Sequence, residues 1–293
     1  METLERLVRR IDAVHDLHAI VRTMKALSAV SIRQYERAAL ALGEYHRTVT
    51  FGLSIVLRSR PPAPAIEAPA KGPLTVIVFG SDHGLCGRFN EIVAAEAERV
   101  MAAEPGPVHC FAVGVQPARR LEAMGRRLDD ALYTASTASG LTATAQALLL
   151  RLDARRGDGD DLRVVIVHNR RGRATPAEPH RVPLLPISER WLAELAARRW
   201  PTRVVPSVTM DVDAAFAALV REHLFVTLFR AGAEALASEH AARLAAMQAA
   251  ERNIDERTEA LEGAYRRLRQ ATITAELLDV VAGAEVLGAG EAL

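Results

Sequence analysis

Ser81, Asp82 and His83 stand consecutively in the segment GSDHGLCGRFN (80–90), and these are the three residue types of a nucleophilic hydrolase. A working triad needs its members to converge from separate segments, so three neighbours in one loop read as a turn. The same segment is glycine-rich, but Gly80, Gly84 and Gly87 do not make the G-x-G-x-x-G spacing that lets a backbone approach a pyrophosphate. Nor does a Gly-Lys-Ser/Thr follow to hold phosphate and magnesium. His15 and His18 lie three apart, close enough on a helix to share a metal, but no third ligand is near in the sequence, and a solvated or interhelical polar pair is expected. His168, Asn169 and Arg170 follow an apolar run, where open α/β sheets place ligand-binding loops; they are read as a plain loop. The arginine-rich stretch 163–181 offers charge for anionic lipid or nucleic acid, yet it lacks interleaved aromatic residues and reads as a solvated face. The residues thus point to no catalytic group, no metal and no cofactor.

The composition agrees with a soluble globular chain: 293 residues, 49% hydrophobic, 25% charged, with a formal net charge of +1. That balance argues against a chain-wide nucleic-acid footprint. No apolar run approaches the roughly 20 residues that cross a bilayer, and METLERLVRR alternates charge and hydrophobe where a signal peptide would be unbroken. A cytoplasmic location is expected. Cys86 and Cys110 sit in apolar or glycine-rich surroundings and do not suggest a disulfide framework. Charge is unevenly spread: basic residues outnumber acidic ones in residues 1–60, and the reverse holds from 211 to 293.

The elements that carry these residues are legible from periodicity. Leu7, Val14, Val21, Tyr35, Leu42, Val49 and Val56 recur at multiples of seven, with Leu4, Ile11, Ile32, Ala39 and Leu53 as a neighbouring row. This predicts one helix over residues 1–58, about 85 Å long at 1.5 Å per residue, its rows interrupted by His18, Lys25, Ser28 and His46. A proline-rich connection, SRPPAPAIEAPAKGP (59–73), follows. Continuous apolar, β-branched runs at 74–79, 108–113 and 162–167 read as buried parallel strands, with helical patterns near 90–103, 116–125 and 140–154 between them and a further strand among the later prolines. An inserted Rossmann-like α/β domain over 74–206 is expected. From 207 to 293 no proline occurs, and Ala, Leu, Glu and Arg predict a second long helix, with bends possible at Gly232 and Gly263. Its early face is small, with Leu224, Leu228, Ala231, Ala235, Ser238, Ala242 and Ala245, and Met247, Ile254, Leu261 and Leu268 continue the row. The two terminal helices, opposite in charge, should pair as an antiparallel coiled coil.

Three segments, in order, resemble the gamma subunits of F-type rotary ATP synthases. RRIDAVHDLHAIVRTMKALSAVSIRQ (9–34) is similar to the family's first helix, with Met24 and Lys25 as its Met-Lys pair. GSDHGLCGRFN resembles the family's Ser-Asp-Arg-Gly-Leu-Cys-Gly segment. SEHAARLAAMQAAERN (238–253) with RQATITAELLDVVAGAE (269–285) resembles the carboxy-terminal signature, where Arg269, Gln270, Ala271, Ile273, Thr274, Glu276 and Leu277 match in register. His83 stands where the family usually has Arg, Arg88 where a small residue is common, and SAVSIRQYE (28–36) lacks the basic pattern usual there, marking a divergent member.

The resemblance implies a non-catalytic central rotor shaft that couples proton or sodium flow to ATP synthesis or hydrolysis in the alpha/beta catalytic ring. Its implied partners are the alpha and beta subunits, the epsilon subunit and the membrane c-ring, at the cytoplasmic face of a bacterial inner membrane. Met24, Lys25, Arg269, Gln270 and Thr274 are the implied coupling contacts with the ring. Against it stand a free-standing α/β enzyme that uses the helices as a dimeriser or clamp, and a scaffold coiled coil; neither explains the three matched segments.

Overall fold

The computed structural model describes residues 3–59, 72–156, 162–200, 203–204 and 206–290, except the side chains of residues 138, 156 and 282–290. Most of the proline-rich 59–73 connection therefore lies outside the described residues. In chain order the elements are α1 (Leu4–Ser59), β1 (Leu74–Phe79), α2 (Phe89–Ala102), β2 (Val108–Val113), α3 (Val115–Ala123), β3 (Asp130–Leu132), α4 (Ala138–Arg156), β4 (Arg163–Arg170), β5 (Glu178–Leu185), α5 (Glu189–Ala197) and α6 (Val212–Gly290). They fall into two compact units, residues 1–27 with 246–293, and residues 28–245.

The larger unit is built on a five-stranded sheet in the order β3-β2-β1-β4-β5. β1 pairs parallel with β2 and β4, β2 parallel with β3, and β5 closes one edge antiparallel to β4. The predicted strands are all present, and the further strand is β5, whose Pro179 and Pro183 are tolerated because it is an edge. The run LTVIVF is continuously apolar because both faces of β1 are covered. Side chains alternate along a strand, so Val76 and Val78 meet Val93, Ala97 and Met101 of α2 and Leu121 of α3. Ile77 and Phe79 point the other way, into a core shared with Leu141, Leu148 and Leu152 of α4, Tyr35 of α1, and Leu228 and Phe229 of α6. Leu148 and Leu228 are essentially fully buried, each worth roughly 2 kcal/mol against exposure.

Gly232, where the sequence allows a bend, sits at a close approach. The helix runs on through it, and a Cβ there would meet Leu141 at 2.8 Å and Phe79 at 3.3 Å. Its bareness lets α6 lie against the sheet, which offsets the helix-propensity cost of about 1 kcal/mol. The small face of α6 serves the same approach: Ala231, Ala235 and Ser238 are buried, and Ser238 donates its hydroxyl to the Pro176 carbonyl at 2.8 Å. Ala245, the last of that predicted row, is exposed.

The smaller unit is an antiparallel pairing of the start of α1 with the later part of α6. Leu7, Val14 and Leu261 are buried, with Ile11, Ile254, Tyr265 and Leu268 packed around them, in the predicted seven-residue rows. Among the described residues no helix is long and apolar enough to cross a membrane.

Candidate functional site

The 80–90 segment is a structural knot. Ser81 is fully buried; its hydroxyl accepts from the Asn90 amide at 2.8 Å and donates to the His83 carbonyl at 2.8 Å, and its backbone N–H donates to Asn90 Oδ1 at 3.0 Å. The His83 ring is exposed, so no Ser–His pair forms. Asp82 accepts three bonds: from the Val115 N–H at 3.0 Å, and from the Thr134 N–H and hydroxyl at 2.9 and 2.7 Å. Its carboxylate thereby caps α3, whose own N-cap, Gly114, has no side chain to do so. The turn expected from sequence is present, and it ties β1 to α2, α3 and the β3–α4 connection.

Arg243 of α6 fixes the same loop from the other side. It is 6% exposed, donates to Glu239 at 2.6 Å, and lies 3.5 and 3.4 Å from the His83 and Gly84 carbonyls. Burial raises the Glu239 pKa above the ordinary carboxylate value, and the Arg243 charge opposes that rise. Nothing in local sequence marks this pair beyond its i, i+4 spacing. The thiols show no activation: burial pushes Cys86 up, and Cys110 to about 12.

His168 and Asn169 are not a loop but the buried end of β4. His168 pairs with Glu234 at 3.0 Å, and the Asn169 amide donates to the Phe89 carbonyl at 2.8 Å. The arginines of the 163–181 stretch largely face carboxylates: Arg163 pairs with Glu104 at 2.9 Å, Arg171 with Glu36 and Arg181 with Glu96. No group of three metal-ligating side chains exists among the described residues. His15 is exposed, and His18 lies 3.6 Å from Asp255 rather than facing a metal partner.

Where α1 and α6 run beside the sheet, imidazoles are packed between them. His46 Nε2 lies 3.2 Å from His223 Nδ1, and His240 stacks on Tyr35 at 5.7 Å between centroids. Burial, with His46 nearby, lowers His223 to about 4; burial, with Arg243 nearby, lowers His240 to about 4. Both rings are therefore neutral in the fold, while the unfolded chain takes up protons near 6.5. Their contribution is complete above pH 6.5 and is lost as pH falls toward 4. Each ring is only partly buried, so solvent screening reduces the loss to roughly 1–2 kcal/mol per ring, partly offset by Glu239, whose raised pKa favours acid. The urea midpoint of the full chain should accordingly be lower at pH 4.5 than at pH 7. An unchanged midpoint would mean that the rings are not held neutral.

The five residues singled out for coupling all fall in the smaller unit. Lys25 donates to both oxygens of Glu251, at 2.7 and 2.5 Å, and this bond first, with the Lys25 charge, lowers the Glu251 pKa despite desolvation. Met24 is half-buried beside it. Arg269 and Gln270 are exposed, and exposed Thr274 turns its hydroxyl back to the Gln270 carbonyl at 2.8 Å. Lys25 opposite Glu251, and His18 opposite Asp255, set the antiparallel register. In that register α1 begins, at Leu4, opposite residues near 270. Among the described residues the α6 positions beyond have no α1 neighbour, and Ile273, Leu277, Leu278 and Val280 are 55–70% exposed.

A family model described as ATP synthase matches residues 3–287. The ATP synthase gamma chain of Anaeromyxobacter dehalogenans is 30% identical over 295 residues, covering 98% of this chain and 100% of that one. The gamma chain of Granulibacter bethesdensis is 30% identical over 301 residues, with the same shares covered. Among solved structures, the rotor of the Euglena gracilis mitochondrial ATP synthase in rotational state 1 matches with a TM-score of 0.61 at 16% identity, over 92% of this chain and 98% of that one. The central stalk and c-ring structure from Tetrahymena thermophila matches with a TM-score of 0.57 at 19% identity, over 79% and 99%. At such identities the structural likeness speaks for the fold.

Proposed function

The chain belongs to the ATP synthase gamma-chain family, whose members form the central rotor shaft, and on that premise we propose that it transmits torque without a catalytic group of its own. The observation that carries this reading is the tail of α6 past the start of α1. A row of large apolar side chains left open on a helix, with no partner among the described residues, is an interface, not a stable free surface. A surrounding ring of alpha and beta subunits supplies the matching wall. The epsilon subunit and a membrane c-ring are the further proposed partners, at the cytoplasmic face of a bacterial inner membrane. The division into shaft residues 1–58 and 207–293, connection 59–73 and lobe 74–206 belongs to the same proposal.

The physical logic is differential contact. A ligand or partner shifts an equilibrium only by the difference in its interaction with each state, so a shaft drives three like catalytic sites in sequence only if its surface differs around its axis. Met24 and Lys25 on α1, and Arg269, Gln270 and Thr274 on α6, supply such an uneven surface. Lys25 is half committed to Glu251, whereas Arg269 and Gln270 are exposed.

The test is co-expression with the alpha and beta subunits and an intact membrane sector. Native mass spectrometry should find one copy per ring of alpha and beta subunits, with ATP hydrolysis dependent on it. In vesicles, Arg269→Ala together with Gln270→Ala should lower ATP-driven ion pumping about threefold to tenfold at normal complex abundance, since exposed charged contacts are worth about 1 kcal/mol or less each. Unchanged pumping would count against these positions, and a stable monomer that ignores the ring would sink the shaft reading.

A further inference from the structure

Within the larger unit lies a cavity of about 710 Å³, walled by α1, β4, β5, α5 and α6. Its size falls in the range of pockets that take small organic molecules, roughly 300–1,000 Å³, and its walls are mainly apolar, with a few polar groups among them. Its lining shares no residue with the helix tail discussed above.

The charges on its walls do not cancel. Glu234 is the one carboxylate of the lining, and both its oxygens are used: Oε1 accepts from Arg230 Nε at 2.8 Å and Oε2 meets His168 Nε2 at 3.0 Å. Burial would raise its pKa, but these bonds prevail and hold it at about 2, so it is ionised and already matched. Arg170, also in the lining, is exposed and makes no ion pair among the described residues. Both guanidinium groups depress the ionisation of His180 beside them, after burial itself. The remaining wall is thus cationic, and among the described residues no third metal ligand joins the His46–His223 pair.

Two of the lining side chains are aromatic rings in contact. The indole of Trp191 lies against the His223 ring at 4.5 Å between centroids and 30° between planes. In the same lining α1 carries a glycine in mid-helix. Gly43 lines the cavity, and a Cβ built there meets nothing within 4 Å. Glycine in a helix interior costs about 1 kcal/mol relative to alanine, and no neighbour here requires its absence of a side chain. What the missing side chain does is leave the space open.

We propose that this cavity is a binding site for a small, flat organic carboxylate, its anionic group held by Arg170 and Arg230 and its apolar body laid along Trp191. An arginine fork accepts a carboxylate's two oxygens, and the ring face supplies dispersion contact.

The probe is 2-naphthoate, titrated into the full chain and followed by tryptophan fluorescence, with uncharged 2-naphthamide as its control. Saturable binding is expected in roughly the 0.1–1 mM range for a ligand of this size. The amide should bind about tenfold more weakly, and Arg170→Gln should lower naphthoate affinity by a similar factor. Gly43→Phe, which fills open space on a helix, should abolish binding with an unchanged circular dichroism spectrum. If Gly43→Phe does not fold, the surface change at Arg170 decides alone. No saturable binding, equal affinity for acid and amide, or wild-type affinity in Arg170→Gln would each overturn the proposal.

Discussion

Replacing Arg243 by alanine should destabilise the larger unit by about 3–5 kcal/mol, because it strands a carboxylate in the interior. Glu239 is 5% exposed, and its Oε1 has Arg243 as its partner while Oε2 has none among the described residues. The same guanidinium sits against the His83 and Gly84 carbonyls, so the loop after β1 loses its tether as well. Glu239 escapes part of the penalty by taking up a proton, which its raised pKa already favours. A raised pKa contributes stability below the ordinary carboxylate range that is lost as pH rises through the folded value. The damage of Arg243→Ala should therefore be largest near pH 7 and smaller near pH 4.5. Urea denaturation of the full chain at both values measures it. Changing both residues together, Arg243→Met with Glu239→Leu, should recover much of the loss, since an apolar pair of similar volume often replaces a buried ion pair without cost. A loss below 1 kcal/mol at pH 7 for the single variant would show that the pair is dispensable.

Asp82→Ala should cost roughly 2–4 kcal/mol, from three donors left without their acceptor and from the lost carboxylate at the start of α3. Asp82→Asn is the sharper variant. Its amide oxygen can still accept from Val115, but its NH₂ group would confront the Thr134 N–H, donor against donor. It should therefore fall between wild type and alanine. Under the hydrolase reading of Ser81, Asp82 and His83, the asparagine variant would fold with wild-type stability and lose an activity. A denaturant midpoint unchanged in Asp82→Asn would revive that reading, and a lowered one retires it.

The sequence by itself determined the long helices, the longer strands and the family. A seven-residue repeat places Leu7, Val14, Val21, Tyr35, Val49 and Val56 on one stripe whatever lies opposite, and all six are buried. Unbroken apolar runs demanded strands covered on both faces, which β1 and β2 are. Periodicity is a local property, so it survives without knowledge of the partner. β3 and α5 were not legible: three residues are too few for a period to register, and α5 lies in proline-flanked sequence. Only the tertiary structure decided what the polar residues do. Asp82 meets Thr134 across 52 positions, Lys25 meets Glu251 across 226, and Arg243 meets the His83 carbonyl across 160. The close approach of Gly232 to Leu141 and Phe79 was not readable from its place in a helix, and the cavity beside Gly43 had no signature at all. Hydrogen bonds and cavities are made by atoms brought together from distant parts of the chain, and the spacing of residues along it holds no record of which ones will meet.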